Sequence, residues 1–407
     1  MTFTDLGLDA RLVSRLEGLG LTAPTPIQTK AIPHGLAGRD VLGIAQTGTG
    51  KTAAFGLPLV VALSAERGRP APKSARGLVL APTRELAAQI VATLESISER
   101  LSITLVVGGR SLNAQAGRLA RGTDILVATP GRLIDLMDRR AIDLGQTRFL
   151  VLDEADQMLD IGFIHALRRI APRLSAERQT MMFSATMPSQ MSELAREYLS
   201  DPVRVEVSPP GKAAEKVAQS VHFVAKDGKQ ALLIDLLDGH RDDRALVFSR
   251  TKHGAERLMK QLDRAGFAAA SIHGNKSQGQ RDRALAAFRQ GDVRVLVATD
   301  VAARGLDIPA VGHVYNYDLP NVPENYVHRI GRTARAGRDG CAVAFCAEEE
   351  AGELRAIEKA LGASLDVAGG TPWPTLQQQA KRSQGNRPQA NGRPRRRSRR
   401  RGARAAA

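Results

Sequence analysis

Short apolar runs alternate with amphipathic stretches along most of this 407-residue chain. In the first half, runs suited to strands lie at 40–45, 77–81, 103–107, 124–128, 148–152 and 179–183. Each is followed by a turn or by a segment with helical spacing, the pattern of a parallel sheet covered by helices. Ser208-Pro209-Pro210-Gly211-Lys212 then breaks the alternation and reads as a linker. The pattern restarts at 221–224, 244–248, 268–272, 293–298, 312–315 and 341–345. The spacing therefore predicts two α/β domains of similar plan, over 1–207 and 218–365, joined by a linker at 208–217. From 366 to 407 the chain turns to Gly, Pro, Gln and Arg, with Trp373 as its one aromatic. Such a segment buries too little apolar surface to offset its ordering entropy, so a disordered basic tail is expected.

Composition narrows the function classes. The apolar fraction of 43% is that of a soluble globular protein. No apolar run approaches the roughly 18 residues that would span a bilayer. The opening Met1-Thr2-Phe3-Thr4-Asp5 has neither the basic stretch nor the apolar core of a secretory signal. The two cysteines, Cys341 and Cys346, suit neither a disulfide framework nor a zinc site, and read as buried thiols in a reducing compartment. A cytoplasmic location without membrane contact is expected. The formal charge of +16 is uneven: residues 381–407 hold 11 Lys and Arg and no acid, which leaves +5 for the rest. That balance points to a polyanionic partner, nucleic acid ahead of an anionic membrane surface.

Two segments carry the chemistry. Ala45-Gln46-Thr47-Gly48-Thr49-Gly50-Lys51-Thr52 follows a predicted strand and opens a predicted helix, the setting of a phosphate-binding loop. Its backbone N–H groups would face phosphates, and the helix N-terminus would add positive potential. Lys51 would reach the β- and γ-phosphates, and the Thr52 hydroxyl would ligate Mg²⁺. Further on, Phe149-Leu150-Val151-Leu152 runs into Asp153-Glu154-Ala155-Asp156. Asp153 at a strand end suits a carboxylate that holds Mg²⁺, and Glu154 would orient or deprotonate an attacking water. Only the first domain has such a loop, so the second is expected to close over the nucleotide of the first.

These segments stand in a longer ordered series. Gly20-Leu21-Thr22-Ala23-Pro24-Thr25-Pro26-Ile27-Gln28 comes first, with Phe3 as an upstream aromatic. Pro82-Thr83-Arg84-Glu85-Leu86-Ala87, Gly108-Gly109, Thr129-Pro130-Gly131-Arg132 and Ser184-Ala185-Thr186 follow. The second half holds Val247 to Thr251, Gln278 with Arg281, Ala298 to Ile308, and His328 to Gly337, which includes Arg329, Arg332 and Arg335. In these motifs and their order the chain resembles the DEAD-box family of ATP-dependent RNA helicases, and within it the bacterial RhlE-like branch.

The resemblance implies two tandem RecA-like α/β domains and an RNA-stimulated ATPase using ATP and Mg²⁺. Gln28 would read adenine with an amide that both donates and accepts. Phe3, Ala45, Gln46, Thr47, Gly48, Thr49, Gly50, Lys51 and Thr52 would complete the ATP site, with Asp307 on the ribose. Arg332 and Arg335 would be arginine fingers, a contribution worth about 10³–10⁵ in rate. His328 would reach toward Asp156, Ser184 and Thr186 and couple nucleotide state to closure. Arg84, Gly109, Thr129, Arg132, Arg250, Gly274 and Thr299 would contact the RNA sugar–phosphate backbone, which implies binding without base readout. The Arg-rich end, Arg393-Pro394-Arg395-Arg396-Arg397-Ser398-Arg399-Arg400-Arg401, would tether RNA. The expected function is local separation of short RNA duplexes, or remodelling of ribonucleoprotein, by ATP-driven domain closure of a monomer. An ATP-gated RNA clamp or assembly platform is the alternative, with a DNA helicase third. Ribosomal and RNA-decay assemblies are both open as settings.

Overall fold

The structure, a computed structural model, describes residues 1–46, 48–207, 217–303, 311–334 and 340–373. Thr47, most of the expected linker, Asp307, Arg335 and the Arg-rich end lie outside the described residues.

Among the described residues, fourteen strands form two sheets. The first holds β1 (Val41–Ile44), β2 (Ala75–Leu80), β3 (Ile103–Val106), β4 (Thr123–Ala128), β5 (Phe149–Leu152), β6 (Gln179–Ser184) and β7 (Val203–Glu206). The second holds β8 (Val217–Phe223), β9 (Ala245–Phe248), β10 (Ala269–Ile272), β11 (Val295–Ala298), β12 (His313–Asn316), β13 (Gly340–Cys346) and β14 (Asp366–Gly369). Their orders are β3-β4-β2-β5-β6-β1-β7 and β10-β11-β9-β12-β13-β8-β14, with parallel pairing throughout. Shifting every strand number of the first sheet by seven reproduces the second. The two bodies are one plan used twice, the tandem RecA-like arrangement.

Why the central strands read as unbroken apolar runs is visible in the packing. Phe149 and Val151 of β5 enter one core cluster, while Leu150 and Leu152 enter the cluster on the other face. In β9, Leu246 and Phe248 face one core, and Ala245 and Val247 the other. A strand covered by helices on both faces has no polar side, so period-two alternation disappears. Each such Val, Leu or Phe side chain stabilises the body by roughly 1.5–3 kcal/mol on burial. Val151→Asp would put an unpaired charge between the layers and break the first body.

All twelve expected runs are strands. Two edge strands, β7 and β14, were not expected, because Val-Arg-Val-Glu and Asp-Val-Ala-Gly carry little apolar signal. An edge strand needs only one bonded neighbour and keeps charge on its open side. β14 also corrects the expected tail boundary at 366. Asp366–Gly369 pairs with β8, and the Trp373 indole donates to the Cys346 carbonyl at 2.9 Å while its ring packs on the second core.

Candidate nucleotide and RNA site

The site residues gather where the parallel strands end. After β1, Ala45 N–H still donates to the Ser184 carbonyl of β6 at 2.9 Å, and the chain then turns through Gly48 (φ +84°) and Gly50 (φ +89°) into helix Lys51–Ser64. A Cβ at Gly50 would stand 2.4 Å from Gln28 Nε2, so both the backbone angle and the space require glycine there. The loop closes on itself: Thr49 Oγ1 donates to Gln46 O at 2.7 Å, and Lys51 Nζ donates to Ala45 O at 3.1 Å. Lys51 is therefore a buried ammonium held at the loop by a neutral carbonyl, with further N–H donors to offer phosphate.

Gln28 is bonded directly to the phosphate loop. It lies in the first turn of helix Pro26–Leu36, three residues after the N-cap Thr25. Its Oε1 accepts from Thr25 N–H at 2.9 Å, and its Nε2 donates to Gly50 O at 3.0 Å. The amide thus braces the phosphate loop and keeps one N–H and one lone pair for a base. Phe3 is buried in the first core cluster at the start of the turn Thr4–Leu6, and packs as core.

The acidic segment follows β5. Asp153, Glu154 and Asp156 are all buried. Glu154 sits at φ +51°, ψ +51°, a conformation that costs a non-glycine residue about 1–2 kcal/mol. Strain held at one carboxylate in a site is the kind that surrounding structure must enforce. Burial pushes the Asp153 carboxyl well above the usual carboxylate range; Lys51 opposes this, and Glu154 and Asp156 add to it. A cation beside Asp153 would offset that cost. The donors present, the Asp153 carboxylate and the Thr52 hydroxyl, are the hard oxygens that suit Mg²⁺.

Asp156 is a hub. Its Oδ2 accepts from Ala185 N–H (3.0 Å), Thr186 N–H (2.9 Å) and Thr186 Oγ1 (3.0 Å), and its Oδ1 accepts from Gln157 N–H. Ser184 Oγ donates to Thr186 O at 2.6 Å. Asp156, Ser184 and Thr186 are thus one network, as expected. His328 instead lines a small recess of the second body with Phe248, Asp300, Asn325, Arg329 and Arg332.

Sequence reasoning passed over Arg329, yet it fixes that recess. Its Nε and Nη2 pair with both Asp300 oxygens at 2.6 and 2.7 Å, and Nη1 reaches Asn316 Oδ1 and Asp318 O. The guanidinium also lies 4.9 Å from the Phe248 ring centroid. It anchors helix Pro323–Ile330, whose end carries Arg332. Three arginines in the eight-residue stretch from His328 to Arg335 gave no sign of which one was structural.

The expected RNA contacts fall on matching strands of the two sheets. Arg84, Gly109 and Thr129 follow β2, β3 and β4; Arg250, Gly274 and Thr299 follow β9, β10 and β11, the equivalent strands. Gly109, at φ +78°, lets the Arg84 guanidinium lie where a Cβ would be, 2.2 Å from Nη1. Arg132 Nη1 donates to Arg110 O at 2.9 Å. Arg250 is more committed than expected: Nη2 donates to Glu350 Oε1 and Leu319 O, both at 3.1 Å. Glu85 was not expected at all, and its Oε1 joins the two bodies by accepting from Gln278 Nε2 and Arg281 Nη2, each at 3.0 Å. Its one sequence signal was a carboxylate in the first turn of helix Arg84–Ile97, which usually serves that helix alone.

Comparison with known proteins agrees with this geometry. Residues 25–194 match the DEAD/DEAH box helicase family, and residues 228–337 the helicase conserved C-terminal domain. The chain is 46% identical to the ATP-dependent rRNA helicase rrp3 of Aspergillus terreus, over 90% of its own length and 81% of that protein. It is 43% identical to the DEAD-box ATP-dependent RNA helicase CshA of Bacillus subtilis, over 90% and 74%. Among solved structures it resembles Mss116p bound to single-stranded RNA and AMP-PNP (TM-score 0.82, 27% identity, 94% of this chain and 81% of that one). Dbp5 of S. cerevisiae bound to RNA and ADP BeF3 is also similar (TM-score 0.77, 30% identity, 90% and 95%). No helix of the described residues is long and apolar enough to cross a membrane. The chain belongs to the DEAD-box family of ATP-dependent RNA helicases.

Proposed function

We propose that this helicase separates short RNA duplexes locally, by closing its two bodies over ATP and one RNA strand. ATP is held by the phosphate loop, with Lys51 leaving the Ala45 carbonyl for the β- and γ-phosphates and Gln28 offering its remaining donor and acceptor to adenine. Thr52 and Asp153 would hold Mg²⁺, which when bound would supply positive charge to offset that of the phosphates. Glu154 accepts a proton from water as its oxygen bonds the γ-phosphorus, and the bond to the bridging oxygen breaks to leave ADP and phosphate. Arg332, with Arg335, meets the charge on the transferring group from the second body. Asp307 holds the ribose. His328, brought to the Asp156–Thr186 network on closure, reports nucleotide state to the RNA side. Arg84, Gly109, Thr129 and Arg132 grip one stretch of backbone, and Arg250, Gly274 and Thr299 the next.

The observation that carries this reading is the bond set at Glu85. The residue beside Arg84 holds the second body through Gln278 and Arg281, so gripping RNA and closing the bodies share one element. Each ligand then favours the form the other needs, and their binding is reciprocal. A strand-displacement assay on a short RNA duplex tests it. ATP should drive repeated displacement by the wild type, while Glu154→Gln should bind ATP and RNA but release strands once. Repeated displacement by Glu154→Gln, or equal ATPase stimulation by single-stranded DNA, would overturn the reading.

A further inference from the structure

At the opposite, amino-terminal ends of the first sheet's strands lies an open recess of about 750 Å³ that no step above uses. Lys73 stands just before β2, Asp143 and Leu144 before β5, and Arg173 before β6. Lys51, Asp153 and Ser184 lie at the carboxyl ends of β1, β5 and β6, so an occupant of the recess leaves the nucleotide and RNA faces open.

The recess has a cationic rim and an apolar floor. Lys73, Arg140, Arg168, Arg169 and Arg173 are all exposed around it. Arg168 pairs with Glu193 and Glu197, and Arg169 with Asp138. The other carboxylate, Asp143, accepts from Gly145 N–H. Lys73, Arg140 and Arg173 have no ion-pair partner among the described residues. Met137, Ile142, Leu144 and Pro172 make the floor, with no aromatic side chain among the lining residues.

Two of the free cations stand where the backbone would favour glycine. Arg140 (φ +54°) ends helix Pro130–Asp138 with its N–H on Met137 O and the next N–H on Leu136 O, a closing turn whose left-handed position glycine usually fills. Lys73 (φ +56°) turns into β2. Five non-glycine residues of the described chain have positive φ; one is Glu154, and two are these cations on one recess.

We propose that this recess is a docking site for an acidic protein segment carrying an apolar side chain. Carboxylates of the segment pair with Lys73, Arg140 and Arg173, and its apolar side chain covers Met137, Ile142, Leu144 and Pro172. RNA fits less well, because a backbone that pairs its phosphates with the cationic rim would leave Met137, Ile142, Leu144 and Pro172 uncovered.

Fluorescence anisotropy with the full chain tests this, using a short labelled peptide of alternating Glu and Leu, the same peptide with Ser for Leu, and an oligouridylate. The Glu–Leu peptide should bind most tightly of the two peptides, and Lys73→Glu with Arg140→Glu and Arg173→Glu should weaken it by about tenfold or more. The Arg-rich end is intact in both proteins, so the difference belongs to the recess. Should the charge-reversed chain fail to fold, Lys73→Gly with Arg140→Gly removes two cations at positions that suit glycine and should weaken the peptide in the same direction. Oligouridylate binding and RNA-stimulated ATP turnover should hold in all variants. Equal peptide affinity in wild type and variants, or equal affinity for the Leu and Ser peptides, would overturn the proposal. Loss of oligouridylate binding by the same factor would assign the recess to RNA and overturn it too.

Discussion

Glu85 and Arg281 are bonded across the two bodies at 3.0 Å, with only 6% and 11% of their side chains exposed. Arg281 Nη2 also donates to Ala302 O at 3.2 Å, in the helix that follows Thr299. One pair therefore connects the start of helix Arg84–Ile97 to the segment that follows β11. Removing one partner of a buried pair costs about 3–5 kcal/mol when the other charge stays buried. Here the chain has an escape, because opening the bodies lets Glu85 regain water.

Arg281→Ala should therefore shift the chain toward the open form rather than unfold it. The RNA concentration for half-maximal ATP turnover should rise about tenfold or more. ATP affinity without RNA should change little, since Arg281 lies away from the phosphate loop. Titrating ATPase activity with RNA, beside energy transfer between fluorophores on the two bodies, checks both. An unchanged RNA dependence would show the pair to be incidental to closure.

Gly50→Ala should weaken ATP binding more sharply than its small size suggests. The new Cβ would meet Gln28 Nε2 at 2.4 Å and sit at φ +89°. Either the loop shifts or the Gln28 brace breaks. Gln28→Ala keeps the backbone angle and loses only the brace and the base contact, so its loss of labelled-ATP affinity should be smaller. Both proteins should keep wild-type RNA affinity in the absence of nucleotide. A Gly50→Ala protein with wild-type ATP affinity would remove the steric argument.

How much of this was legible in the sequence follows from where each signal resides. Strands buried on both faces announce themselves, since every residue must be apolar; β7 and β14 did not, because an edge is held chiefly by backbone bonds. Lys51, Asp153 and Glu154 stand out as candidates because phosphate and water chemistry dictates residue type and spacing. Gln28 was a candidate for adenine, but its bond to Gly50 O joins residues 22 apart and left no local pattern. Glu85–Arg281 and Arg329–Asp300 were hidden for the same reason. A charged residue in sequence says nothing of which distant charge will be folded against it.

Glu256 gives the second body a titrating joint. It accepts from Ser271 Oγ and pairs with His273 and Lys276, and these bonds hold the loop that contains Gly274. The Lys276 bond, against some desolvation and with help from Ser271 and His273, pulls its carboxyl from 4.5 down to about 2. A folded pKa below the unfolded one contributes stability above about pH 4.5, lost as pH falls toward about 2. Glu256→Gln should therefore lower thermal stability near neutral pH and flatten the loss across that acid window. RNA affinity should fall with it if Gly274 touches the strand. Melting curves from neutral pH into the acid window decide it; parallel curves for the two proteins would mean that Glu256 carries no such coupling.

Truncation after residue 373 should separate the tether from the engine. Trp373 must stay, because its indole bond to Cys346 O and its packing belong to the second core. Beyond it lie the 11 Lys and Arg of residues 381–407. Each tail cation that displaces a counterion from single-stranded RNA steepens the fall of log affinity with log salt by about 0.7. The truncated chain should bind RNA more weakly at low salt, and the two proteins should converge as salt rises. ATP turnover without RNA should be unchanged, since no residue of the phosphate loop or the acidic segment is lost. Turnover at saturating RNA should also hold, because the proposed grip on the strand uses residues of both sheets, none of which is lost. If truncation leaves the salt slope where it was, the basic end does not engage RNA, and the modest charge of the two bodies carries the whole electrostatic attraction.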